Sequence, residues 1–116
     1  MTPEFFIWWL FCFLLTEIAE VPVAWALLKQ AGVASGPALT SALLASVWTH
    51  PFLFAAVWFL DLAPAPWFAA VVGMEIVVAL TEALWHRRFL GVPWRQALGV
   101  SFAANGLSYG LGLLMF

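Results

Sequence analysis

Charge is what this chain has least of. Only 9% of its 116 residues are Asp, Glu, Lys or Arg, and only four of them are basic. Four Lys and Arg with a net charge of -2 cannot neutralise a run of phosphates, which excludes nucleic-acid binding. A single cysteine, Cys12, excludes an internal disulfide, a C-x-x-C redox pair and a thiolate metal cluster, and its apolar setting makes it a packing residue. Long polar segments are missing too, so nothing provides for an extramembrane domain, a repeat array or a low-complexity tail. The sequence also holds no Ser or Cys nucleophile motif, no phosphate loop and no cofactor fingerprint.

What fills the chain is apolar: 66% hydrophobic residues, mean hydropathy +1.03, eight Trp and eleven Phe. That composition belongs to a polytopic membrane protein. Four apolar segments are expected at about 5–28, 38–60, 66–86 and 95–115, each near the roughly 20 residues that a spanning helix needs. The expected fold is therefore all-α, a single domain over 1–116 in which four transmembrane helices with short loops form a bundle. Lys29-Gln30-Ala31-Gly32, Gly36-Pro37, Asp61 with Pro64 and Pro66, and Gly91-Val92-Pro93 mark the breaks. Ala24-Trp25-Ala26 resembles a signal-peptide cleavage site, but the start MTPE has no basic region and the apolar run is too long, so a spanning helix is expected.

Basic residues set the expected orientation. Lys29, Arg87, Arg88 and Arg95 fall on one side of the segments, and Glu4 and Asp61 on the other, which predicts both termini on the non-cytoplasmic side of a bacterial cytoplasmic membrane. Trp8, Trp9, Trp58 and Trp67 then mark the outer boundary, Trp25, Trp85 and Trp94 the inner one, and Trp48 falls at mid-depth.

Polar residues are few and clustered. In the third segment Glu75, Glu82 and His86 fall on one narrow helical stripe with Ala79 between them, and that stripe must face protein, because a carboxylate in lipid costs roughly 2.5 to 3.5 kcal/mol on insertion scales. Counting helical rise puts Glu17, His50, Glu75 and Asn105, one from each segment, within about 3 Å of the mid-plane, with Glu20 and Glu82 about 6 to 9 Å toward the cytoplasm and His86 beyond them at the interface. Phe13, Glu17, Glu20 and Ala24 share a face, as do Ser46, Thr49 and His50, and as do Ser101, Asn105, Ser108 and Gly112. Pro22 and Pro51 are expected to free the carbonyls of Ile18 and Val47 for a polar site, while Gly106 and Gly110 have the G-x-x-x-G spacing of close helix packing.

Four intramembrane carboxylates with no Lys or Arg inside the spans cannot all be ionised in a dry site. They are protonated, share protons, or neutralise a bound cation. Glu20, His50, Glu75 and Glu82 are the candidate cation ligands, with Glu17, Thr49, Asn105 and His86 as supporting polar groups. Carboxylates with imidazole suit zinc, manganese or iron, although the paired Glu-x-x-His of di-iron bundles is missing. Asn105, Ser46 and Ser101 are read first as bonds between helices.

Four helices in so short a chain, with Ala19-Glu20-Val21 in the first and Lys29 at its end, resemble the small multidrug resistance transporters. That resemblance, confined to about the first thirty residues, implies an antiparallel dimer whose first-helix glutamate, here Glu20, binds protons or a cationic substrate. His50, Glu75 and Glu82 have no counterpart there, and the one-sided basic charge argues against dual topology. Glu20-Val21-Pro22, Thr49-His50-Pro51 and Ala104-Asn105-x-x-Ser108-Tyr109 are also similar to segments of small four-helix bacterial membrane proteins, a likeness that implies no particular activity. The expected function is binding of a proton or divalent metal at mid-membrane, for ion-linked transport or metal handling, in a homo-oligomer or with a partner membrane subunit. The alternatives are an accessory structural subunit of a larger membrane complex and a metal-dependent membrane enzyme acting on a lipid or quinone.

Overall fold

The computed structural model describes residues 2–60 and 67–115, apart from the side chains of 54, 56–60, 67, 68 and 115. Asp61, Pro64 and Pro66, and the side chains of Trp58 and Trp67, lie outside the described residues. Four helices account for nearly everything else: α1 (Pro3–Gln30), α2 (Ser35–Leu60), α3 (Trp67–Leu90) and α4 (Trp94–Met115).

Local chemistry fixes their ends. Thr2 caps α1, its hydroxyl accepting from the Phe5 amide at 3.3 Å, and Pro3 follows where no amide hydrogen is needed. At the other end Gly32 adopts φ +91°, which lets the Gly32 amide reach the Lys29 carbonyl and the Val33 amide reach the Leu28 carbonyl, both at 3.0 Å. Gly91, at φ +69°, closes α3 in the simpler form, with its amide on the Arg87 carbonyl at 3.0 Å. The third helix thus runs one turn past His86, because its stop signal is Gly91 and not the arginines.

Each helix packs against two neighbours, α1 on α2 and α4, and α3 on α2 and α4, so α1 and α3 occupy opposite corners of a square. The short turns at 31–34 and 91–93 make each hairpin antiparallel and bring Lys29, Arg87, Arg88 and Arg95 to one end of the bundle. The molecule extends 43 × 26 × 24 Å. The long dimension matches a 28-residue helix at about 1.5 Å per residue.

The interior is built from small side chains. Ala24, Ala38, Ala42, Ala45, Ala79, Ala83, Ala97 and Ala104 are buried, and Leu28 is the large apolar residue sealed among them. Bulky residues point outward instead, with Ile18 70%, Phe52 66%, Phe89 65% and Leu114 85% exposed. In water such a surface would be an unsupportable apolar patch. In lipid it is what spanning helices present, with small residues at their contacts. Among the described residues three helices, α1, α3 from Ala69 to Leu90 and α4 from Trp94 to Leu114, are long and apolar enough to cross a membrane.

Candidate functional site

Two carboxylates stand at the centre. Glu20 on α1 and Glu82 on α3, each only 4% exposed, come from the two opposite corners of the square. The other two helices supply their partners. Ser46 of α2 donates to Glu20 Oε2 at 3.2 Å and Ser108 of α4 to Glu20 Oε1 at 2.5 Å. Thr49 of α2 donates to Glu82 Oε1 at 2.7 Å, and the Asn105 amide of α4 to Glu82 Oε2 at 2.9 Å. The Thr49 hydroxyl also lies 3.4 Å from the Ser46 carbonyl, and the Ser108 hydroxyl 3.3 Å from the Asn105 carbonyl, so the six residues close a ring through all four helices. All four carboxylate oxygens are met by neutral donors, and no Lys or Arg takes part.

The ring has an internal two-fold pattern. Each acid takes one bond from its own hairpin, Ser46 for Glu20 and Asn105 for Glu82. It takes the other from a residue three positions further along the opposite hairpin, Ser108 for Glu20 and Thr49 for Glu82. Ser46 follows Gly32 at the same interval at which Asn105 follows Gly91. The buried positions of the two donor helices, 38, 41, 42, 45, 46 and 49 against 97, 100, 101, 104 and 105, repeat in register, with half-buried Ser108 matching Thr49.

The structure joins Glu20, Glu82, Thr49 and Asn105 in one hydrogen-bonded set and leaves the other candidates outside those bonds, with Glu75 sharing cleft walls with Ser108 and Asn105 and Glu17 beside Ser46. Asn105 bonds Glu82, not the level of Glu75 expected from helical rise, because side chains lean toward the N-terminus of their own helix and α3 and α4 run oppositely. Their tips therefore converge from different depths. Glu75 is half-buried and lines both a 650 Å³ cleft between α1 and α4 and a smaller groove between α3 and α4. His50 packs edge-on against Phe13, ring centres 5.3 Å apart, outside the ring. Both carboxyl oxygens of Glu17 are sealed from solvent without a hydrogen bond, since the proton of neighbouring Ser46 goes to Glu20. Among the described residues no three His, Cys, Asp or Glu side chains converge as a metal-ligand set.

Several expectations change. His86 is sealed inside the bundle, 1% exposed with Nδ1 2.8 Å from the Ser41 hydroxyl, because α3 continues past it and α2 covers it. The carbonyls opposite Pro22 and Pro51 do not feed the site, as Ile18, Pro22, Val47 and Pro51 are all on the exposed face. Gly106 faces outward, and a Cβ at Gly106 or Gly110 would meet nothing within 4 Å, so this glycine pair packs no helix of the bundle. Ser101, by contrast, does tie helices, donating to the Ala79 carbonyl. Ser41 has no signal of its own in the sequence beyond its place in the small-residue stripe Ala38, Ser41, Ala42, Ala45, Ser46 and Thr49 that marks the buried face of α2.

An apolar exterior around an acidic and hydroxyl-lined interior defines an all-α bundle of four helices, three of them among the described residues long and apolar enough to cross a membrane. Compared with known proteins, the chain matches no family model, no curated protein and no solved structure.

Proposed function

We propose that the protein spans a membrane and holds an exchangeable proton on the Glu20–Glu82 ring, as the cation-handling element of a proton-linked process. The observation that carries this reading is the double environment of the ring hydroxyls. Thr49 has one proton and several acceptors, of which Glu82 Oε1 at 2.7 Å and the Ala45 carbonyl at 3.0 Å are the nearest. With Glu82 ionised, the hydroxyl points to the carboxylate. With Glu82 protonated, the acid donates to Thr49 and the hydroxyl turns to Ala45. The Asn105 amide can only donate, which leaves Oε1 as the oxygen that takes the proton. Ser108 stands in the same relation to Glu20 Oε1 and the Asn105 carbonyl. A proton fits this geometry better than a divalent metal, because each carboxylate oxygen of Glu20 and Glu82 already faces a donor hydrogen and neither histidine joins the ring.

In this reading the basic end faces the cytoplasm and both termini lie outside, in a bacterial cytoplasmic membrane. Transport by four helices would require a second copy or a partner subunit. A second reading, a scaffold subunit, draws on the same ring, since each of its bonds to a carboxylate joins two helices and fixes their register. Infrared difference spectra of the reconstituted protein after a pH jump separate the two. A carboxylic-acid carbonyl band that weakens as pH rises, and is lost in Glu20→Gln/Glu82→Gln, is expected for a proton site. A band unchanged across the accessible pH range, with early melting of the same variant, would leave only the scaffold.

A further inference from the structure

A cleft of 420 Å³ opens sideways between α2 and α3. Its walls are Trp48 and Phe52 from α2 and Leu84, Trp85 and Phe89 from α3, and four of these are heavily exposed: Trp48 55%, Phe52 66%, Leu84 48% and Phe89 65%. Arg88 stands at its basic end, and its floor is formed by Thr49 and Glu82, two members of the ring. On α3 the lining runs from Thr81 to Phe89, about 12 Å of helix at about 1.5 Å per residue. One leaflet of hydrocarbon is about 15 Å deep, half of a core of about 30 Å. The cleft is therefore a slot of leaflet depth, apolar along its length and cationic at its mouth.

Charge distinguishes this cleft from the one between α1 and α4. That cleft is lined by no Lys or Arg and carries the Glu75 carboxyl, so it offers an anion no cationic partner. Among the other basic residues, Lys29 lies over the Trp25 ring at 4.6 Å and Arg87 over Trp94 at 5.0 Å, each already facing an aromatic surface. Lys29 also borders a 360 Å³ cleft, but one lined by its own helix alone, whereas Arg88 borders a cleft between two helices that reaches the ring.

We propose that the α2/α3 cleft is a binding site for an anionic phospholipid, with its phosphate on Arg88 and one acyl chain along Trp85, Leu84, Phe52 and Trp48 down to the Thr49–Glu82 floor. The site rests on the membrane-spanning reading but not on proton exchange, so its failure and that of the proton site are separately visible. When occupied, the chain covers the lateral approach to Glu82 and keeps water from that side of the ring.

The test is lipid retention by the full-length protein, read by native mass spectrometry after exchange into nanodiscs of phosphatidylcholine with a minor share of phosphatidylglycerol. The expected result is one retained phosphatidylglycerol in preference to phosphatidylcholine. Arg88→Gln should cut that preference about fivefold, the size of one basic residue's contribution at an anionic leaflet. Arg88→Lys and Arg95→Gln should keep it. Leu84→Trp, at an exposed wall position, should reduce retention of both lipids, and glycerol phosphate without chains should not displace the bound lipid. Equal retention of both lipids by the unaltered protein, an undiminished preference in Arg88→Gln, or displacement by glycerol phosphate would overturn the proposal.

Discussion

Thr49 shows how much a single hydroxyl carries in this interior. It bonds its own helix at Ala45 and reaches Glu82 on α3, whereas Thr81, exposed on α3, bonds only the Val77 carbonyl at 2.8 Å. Thr49→Val keeps the side-chain shape but leaves Glu82 Oε1 without a donor. The expected outcome is loss of the pH-dependent carboxyl band assigned to Glu82 and a stability loss of about 0.6 to 2 kcal/mol, the range for a polar contact between membrane helices. Thr81→Val should change neither, measured by infrared difference spectra and thermal melting in one detergent. If the two variants behave alike, Thr49 is only a local helix bond. The same scale shows what was legible in the sequence. Mid-helix acids announce an interior because lipid rejects them, so Glu20 and Glu82 could be found. Which of the four acids meet could not, because that depends on the lean of each side chain and on which helices stand at opposite corners.

At the scale of elements, the helices were legible from apolar length, and their ends less so. Arg87 and Arg88 look like a boundary, yet the chain stays helical to Leu90 because the terminating conformation is supplied by Gly91. Gly32 and Gly91 both have open space where a Cβ would stand, so replacing either by Ala adds backbone strain and no collision. Gly32→Ala and Gly91→Ala should each destabilise the bundle by about 1 to 2 kcal/mol, the left-handed penalty for a residue with a Cβ. Gly106→Ala, in a helix and facing open space, should be neutral or slightly stabilising. Melting temperatures of the three variants check this, and a Gly106→Ala loss as large as the others would show that α4 is packed there by another chain. The proline expectation failed at this scale as well. A proline removes a bond on whichever side it faces, and Pro22 and Pro51 face outward.

For the whole molecule, the placement of all four basic residues at one end makes the proposed orientation testable. Reporter fusions at both termini should read as outside, and reporters in the turns at 31–34 and 91–93 as inside. A cytoplasmic C-terminus would reverse the leaflet from which lipid reaches the α2/α3 cleft. The ring's two-fold pattern was present in the sequence as Gly32, Ser46, Thr49 against Gly91, Asn105, Ser108, but the chain reads as unrepeated because the residue types differ while the positions agree. That pattern has a consequence for how the protein can be taken apart. Each hairpin holds one acid and one of its donors, and lends its second donor to the other hairpin's acid. Neither half can satisfy its own carboxylate alone, so two polypeptides split between residues 60 and 67 should find each other in the bilayer when co-expressed and co-purify as one complex. Ser108→Ala with Thr49→Val, which removes only the lent donors, should let the halves drift apart while each hairpin stays intact. The bonds that close the ring are the same ones that make the halves of this protein obligate mates.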